Sequence, residues 1–273
     1  MKRISLFLCA LALFITGLSS CLGEGKNEAS ANAVGVYRLV GGIASNPFSP
    51  VFKSSIGDVY SQSMNSFEDG KCYWVYYTIN YDDPLNTAAM VSENGYYSVT
   101  INQYQELDSY YSKPYLTDTT ALLADELPLI SGYEQDNCAY ADGYFFMAHT
   151  IKIPEESQID WDMSYNAGSI SSTQAAADGS RYYDLFLRAK MKSATTRTEQ
   201  EIGFLNAYEL KNFLYSAANA EKNALGSGYM ENSSTFKIRI NYVSEIDAET
   251  GEMTWSSGTQ DLIIASFLNV YSY

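Results

Sequence analysis

The chain has 273 residues, with 17 basic and 32 acidic side chains and a formal charge of −15. This excess of acid disfavours nucleic acid and anionic headgroups as partners, and with Cys9 expected to leave and Cys21 to be lipidated, two thiols with one His make no zinc set by count or spacing. Tyrosine is abundant, at 24 residues, and proline is scarce, at six, which fits a folded, strand-rich chain rather than a disordered one.

The first residues, MKRISLFLCALALFITGLSSC, read as an address. Lys2 and Arg3 precede an apolar run from Ile4 to Ile15 that is too short to span a bilayer comfortably. Leu18-Ser19-Ser20-Cys21 then has the form of a lipobox: small residues before the cut, and a thiol after it to take diacylglycerol. Residues 1–20 are therefore expected to leave as a signal peptide, and Cys21 to carry the lipid. A diacylglycerol plus an N-acyl chain exceeds the two-signal threshold for stable anchoring, at about 0.8 kcal/mol per buried methylene. Leu22, not Asp, follows the Cys, which points to the outer membrane of a Gram-negative cell; a periplasmic or an outward orientation both stay open. Residues 21–32 are small and polar and read as a flexible tether. Removing 20 of the 273 residues leaves 253, enough for two domains.

From residue 33 onward the chain reads mostly as strands. Ala33 to Val40 alternates, NPFSP at 46–50 turns, and Gly57 to Met64 can form a short strand. Glu68-Asp69-Gly70 launches KCYWVYYTINY, from Lys71 to Tyr81. With a period of two, Tyr73, Val75, Tyr77, Ile79 and Tyr81 share one face and Cys72, Trp74, Tyr76, Thr78 and Asn80 the other. The first face, with the β-branched aliphatics, is expected to be the core. Asn94-Gly95 suggests a hairpin return into Tyr96 to Leu107.

LSSC, EDGKCYWVYYTINYDD and YYSVTINQYQEL together give a chain that resembles the NigD-like lipoproteins of Bacteroidetes. Asp69-Gly70 and Tyr77-Thr78-Ile79 match that family's D-G-x-R-V-x-V-x-Y-T-I segment. Cys72 stands where a basic residue is common, and Tyr73 where an aliphatic one is. The resemblance implies an all-β protein with an OB-like barrel at 33–112 and a C-terminal β-sandwich with one short helix at 113–273. It implies no established chemistry and a loose link to bacteriocin immunity.

Lys113 to Asp136 marks the expected boundary. Gly143 to Ile153, Gln158 to Asn166, Arg181 to Met191, Thr235 to Ile246 and Asp261 to Val270 are the expected later strands. Glu201 to Leu210 is either a strand or the start of a helix. Tyr208 to Leu225 has helical spacing and stops at Gly226-Ser227-Gly228. DAETGEMTWSSGTQ, with Trp255, reads as a loop.

Chemistry is sparse. His149 alternates with Met147 and Ile151, which places it in the core rather than beside a nucleophile. Asp82-Asp83 and Glu155-Glu156 would point to opposite faces if extended, and Asp160 and Asp162 read as solvated carboxylates. No Walker loop and no G-x-G-x-x-G occurs, so neither a cofactor nor a metal is expected. Cys72 and Cys138 either pair in an oxidising compartment or sit buried singly. Trp74, Tyr76, Trp161 and Trp255 would grip a sugar if exposed beside polar groups, and would build the fold if covered. The sequence thus predicts a non-enzymatic outer-membrane lipoprotein held through Cys21, acting on a protein partner as in bacteriocin immunity. The alternative is an accessory glycan binder of a polysaccharide-uptake system.

Overall fold

The protein is described by a computed structural model over residues 27–40 and 49–268. Cys21 and the signal segment lie outside the described residues. Fifteen strands and three helices follow in order: β1 (Glu28–Val40), β2 (Ser49–Ser54), β3 (Val59–Tyr60), β4 (Cys72–Asn80), α1 (Ala88–Asn94), β5 (Tyr97–Leu107), β6 (Ser109–Tyr111), β7 (Glu126–Leu127), β8 (Leu129–Ser131), β9 (Cys138–Ala141), β10 (Tyr144–Pro154), β11 (Gln158–Ser164), β12 (Tyr182–Ser193), β13 (Glu199–Glu209), α2 (Lys211–Leu225), β14 (Thr235–Ile246), β15 (Met253–Ile263) and α3 (Ala265–Leu268).

Two units divide the chain. The first runs to Ser109 and takes in Ala139–Phe146 and Leu205–Ala207; the second holds the rest. The boundary expected at residue 112 therefore falls a few residues earlier, and two later segments join the barrel. Their reason for doing so is apolar: Ala141, Phe146 and Ala207 pack with Val34, Val36, Cys72 and Leu107 in one cluster.

The first unit is a closed barrel of order β1-β2-β3-β5-β4, with β4 returning to β1. Tyr37, Phe52, Met64, Phe67, Tyr73, Val75 and Tyr77 fill it, so Tyr73, Val75 and Tyr77 face inward as expected, with Ile79 partly buried against them, while Tyr81 lies past the end of β4 and is exposed. The tether expected over 21–32 ends sooner than that. Glu28 to Asn32 already pair with Asn80 to Tyr76 of β4, because EASAN alternates Ala with polar residues and Ala31 fits against the interior cluster. Asn94-Gly95 is a helix end, not a hairpin turn. Gly95 sits at φ 76° with its N–H on the Val91 carbonyl, and a left-handed helix stop needs the same glycine that a hairpin does. Of the strand expected at 57–64, only Val59–Tyr60 pairs as strand; a 3-10 turn over Gln62–Ser66 follows.

Two five-stranded sheets contain the remaining strands. One has the order β6-β13-β10-β8, with β9 on β10; the other is β11-β12-β14-β15, with β7 on β12. Residues 199–209 are thus strand, and the helix begins only at Lys211. In the second unit the sheets meet through side chains. Trp161 of β11 stacks on His149 of β10 at 4.9 Å and meets Phe204 of β13 edge-on at 5.5 Å. Tyr183, Leu185, Leu187, Ile238 and Ile240 supply the buried face of β12 and β14. Those two strands run parallel, from Tyr182↔Lys237 to Leu187↔Tyr242. Chain direction permits this because β13 and α2 intervene. Trp255 belongs to β15, not to a loop, and faces Val243. Its Ser, Thr and Gly neighbours carry no apolar alternation, so only pairing with β14 reveals the strand. The strand expected to reach Val270 ends at Ile263, and α3 follows.

Candidate functional site

The aromatic residues singled out by sequence are largely spent on packing. Trp74 is half-buried against the cluster that residues 139–146 and 205–207 complete, and its indole Nε1 is buried without a hydrogen-bond partner. Tyr76 is half-buried on the outer barrel face between Asn32 and Gln103. Trp161 is buried in the sandwich interior. Trp255 is half-buried, with Phe186 edge-on at 5.7 Å and the Arg188 guanidinium over its ring at 5.7 Å.

Cys72 and Cys138 both stand as free thiols. Each thiol has its own environment. Cys72 is enclosed by Val34, Val36, Leu107 and Phe146, and the Cys138 Sγ donates to the Glu134 carbonyl at 3.2 Å. Burial pushes both thiols up to about 12.

His149 is core, as expected. Its Nδ1 meets the Gly132 carbonyl at 2.8 Å and its Nε2 the Tyr208 hydroxyl at 2.9 Å. Nδ1 must carry the proton, since a carbonyl only accepts. Burial pushes the imidazole down to about 4. Asp162 binds Lys113 Nζ at 2.6 Å and accepts from the Thr117 hydroxyl, and Asp160 pairs with Lys190 at 2.9 Å. Glu155 and Glu156 both contact Arg197. Among the described residues no group of three His, Cys, Asp or Glu side chains could hold a metal ion.

A different constellation emerges on the outer face of β11-β12-β14-β15. Alternation along β12 sends Tyr183, Leu185 and Leu187 inward and leaves Tyr182, Asp184, Phe186, Arg188 and Lys190 on the other side. Part of that side lies under residues 113–126. Arg188 is fully buried there: it pairs with the Glu126 carboxylate and donates to the carbonyls of Asp118 and Ala121. Beyond this strap the face opens into a cleft of about 390 Å³, bounded by Leu116, the 3-10 turn after Asn166, Thr173 and Gln174, with Tyr182, Asp184, Phe186 and Arg239 on its floor.

The parallel register sets Asp184 beside Arg239. The guanidinium donates to both carboxylate oxygens, at 2.5 and 2.8 Å, and the Asn241 amide adds a third bond at 2.9 Å. Its hydrogen bond to Asp184 holds Arg239 above its ordinary pKa. The Tyr182 ring lies 4.9 Å from the guanidinium, and its hydroxyl donates to Asp178 at 2.7 Å. The polar groups are held rigidly beside half-exposed rings, so the cleft can orient a polar ligand. Sequence reading passed over these residues: a polar residue at every second position of a strand is ordinary, and nothing local shows that β14 lies parallel beside β12.

A closed five-stranded barrel joined in one chain to two five-stranded sheets defines an all-β protein with an OB-like barrel. Residues 25–105 match the family described as Lipoprotein OB domain, which supports the resemblance to the NigD-like lipoproteins drawn from the sequence. Among solved structures, an uncharacterized protein from Parabacteroides merdae is similar at TM-score 0.69 and 18% identity, over 85% of this chain and 98% of that one. A protein from Parabacteroides distasonis described as toxin-related aligns at TM-score 0.51 and 12% identity, over 89% of this chain and 99% of that one. A NigD-like immunity protein from Bacteroides caccae is more distant, at TM-score 0.44 and 12% identity, over 83% of this chain and 90% of that one. No curated protein matches the chain. Among the described residues no helix is long and apolar enough to cross a membrane.

Proposed function

We propose that this protein is a non-catalytic binding lipoprotein, anchored through Cys21 in the outer membrane, and that it holds a saccharide in the cleft over β12 and β14. The observation that carries the reading is the floor of that cleft, where the Tyr182 ring and Phe186 flank an Asp184–Arg239 pair fixed by Asn241. Sugars present hydroxyls to fixed donors and acceptors and C–H faces to rings, and this cleft supplies both. The competing reading is a protein partner, such as a toxin held in an immunity role. The concave, narrow shape with fixed polar groups favours the sugar, since a protein-docking face is broader. His149 offers no ring nitrogen to a ligand, since both are committed to Gly132 and Tyr208.

The test is a screen of neutral and acidic oligosaccharides against the chain from Asn27 onward, followed by titration of any hit. Binding should weaken by about tenfold in Tyr182→Ala, the loss of roughly 1.4 kcal/mol from one stacked ring. No binding at millimolar sugar would sink the saccharide reading and leave the protein partner.

A further inference from the structure

We propose that one end of the barrel rests on the bilayer as a contact for zwitterionic lipid headgroups; the inference depends on Cys21 being lipidated. Strands β1, β3 and β5 run one way and β2 and β4 the other. The start of β1, the β2–β3 turn and the β4–β5 connection therefore share one end. Backbone bonds join them there: Tyr81 N–H to the Asn27 carbonyl at 2.8 Å, and Tyr97 N–H to the Asp58 carbonyl at 3.1 Å.

Four large apolar side chains are exposed at this end: Ile56 (61%), Leu85 (46%), Tyr81 (39%) and Tyr97 (36%). Tyr81 and Tyr97 meet edge to face at 6.4 Å, so the two part-exposed rings form one pair at this end. Leu39, also exposed, is at the opposite end of β1.

The chain before β1 decides what this end faces. Five residues separate Cys21 from Asn27, and the six Cα-to-Cα steps between them reach only ~20 Å when fully extended. The lipidated end of the barrel thus cannot leave the neighbourhood of the headgroups, whereas Leu39 lies a further ~35 Å along the strand. Tyrosine, with an apolar ring and a polar tip, suits the headgroup layer. Glu28 and Asp82 stand at the same end, and Asp82 accepts from the Asn27 amide at 3.3 Å. Carboxylates here repel anionic lipid and attract the ammonium of phosphatidylethanolamine.

The lipidated full-length protein, reconstituted into phosphatidylethanolamine–phosphatidylcholine liposomes with brominated acyl chains, tests this. Leu85→Trp and Leu39→Trp place an indole at either end, read above the background of Trp74, Trp161 and Trp255. Flotation with the liposomes reports the anchor. The Leu85→Trp indole should lose about half its emission to the bromines, at the shallow depth of an interfacial contact, while Leu39→Trp keeps its own. Substituting phosphatidylglycerol for part of the phosphatidylethanolamine should reduce that quenching. Floating protein with equal emission from both indoles would overturn the docking and leave the anchor standing. Protein that does not float would overturn both. A blue-shifted but unquenched Leu85→Trp would also overturn the docking, since the indole would then lie against protein rather than lipid.

Discussion

Replacing Arg188 by Met should be among the most damaging single changes in the second unit. The methionine keeps most of the aliphatic stem and removes only the guanidinium. That group is fully buried, as is the Glu126 carboxylate it pairs with. Its loss strips Glu126 of its counter-charge, while the Leu123 N–H still donates to the carboxylate at 2.8 Å. The Asp118 and Ala121 carbonyls lose their donor as well. Removing one partner of a buried pair costs about 3–5 kcal/mol, since the other charge stays desolvated and uncompensated. For a unit of this size, each kcal/mol is worth roughly 2–4 °C, so Tm should fall by about 6–20 °C. Urea unfolding of wild type and Arg188→Met measures the difference, and limited proteolysis should open first within residues 114–125, which Arg188 ties down. The double variant Glu126→Leu/Arg188→Met removes both charges together and should recover at least about half of the loss. A single variant that costs under about 1 kcal/mol, or a double variant worse than the single, would refute the reasoning.

Three further outcomes are expected. His149 titrates near 4 when folded and near 6.5 when unfolded, so between those values the unfolded chain holds more protons and stability falls as pH drops. The fall is about 3 kcal/mol in all, and His149→Gln should flatten it in urea titrations at pH 7 and 4.5; an unchanged slope would exclude His149 as its source. At Gly258 an added Cβ would lie 2.0 Å from the Tyr133 ring, so Gly258→Ala should cost about 1–3 kcal/mol, most of it relieved in a Tyr133→Ala background; additive losses would contradict the close contact. Native protein should react slowly with thiol reagents and yield two alkylatable thiols, Cys72 and Cys138, once denatured without reductant; a missing thiol pair would indicate a disulfide.

Local periodicity was enough to assign most of the inward face of β4, the body of helix α2 and the core position of His149. Side chains two residues apart on a strand share a face whatever the partner strand is, and the lipobox at Leu18 to Cys21 is likewise a purely local pattern. Other questions depended on contacts between distant residues. Trp74 could have gripped a ligand until residues 139–146 and 205–207 were seen to cover its face. Asn94-Gly95 fits a hairpin and a helix end equally, because both need a positive φ, and Thr87 at the helix start decided between them. The cleft belongs to the same class. Asp184 and Arg239 lie 55 residues apart in sequence, and only the parallel register of β12 with β14 makes them neighbours. Alternation is written into each residue's stereochemistry; strand order and register arise from burying the apolar faces of the whole chain together, which no short stretch specifies.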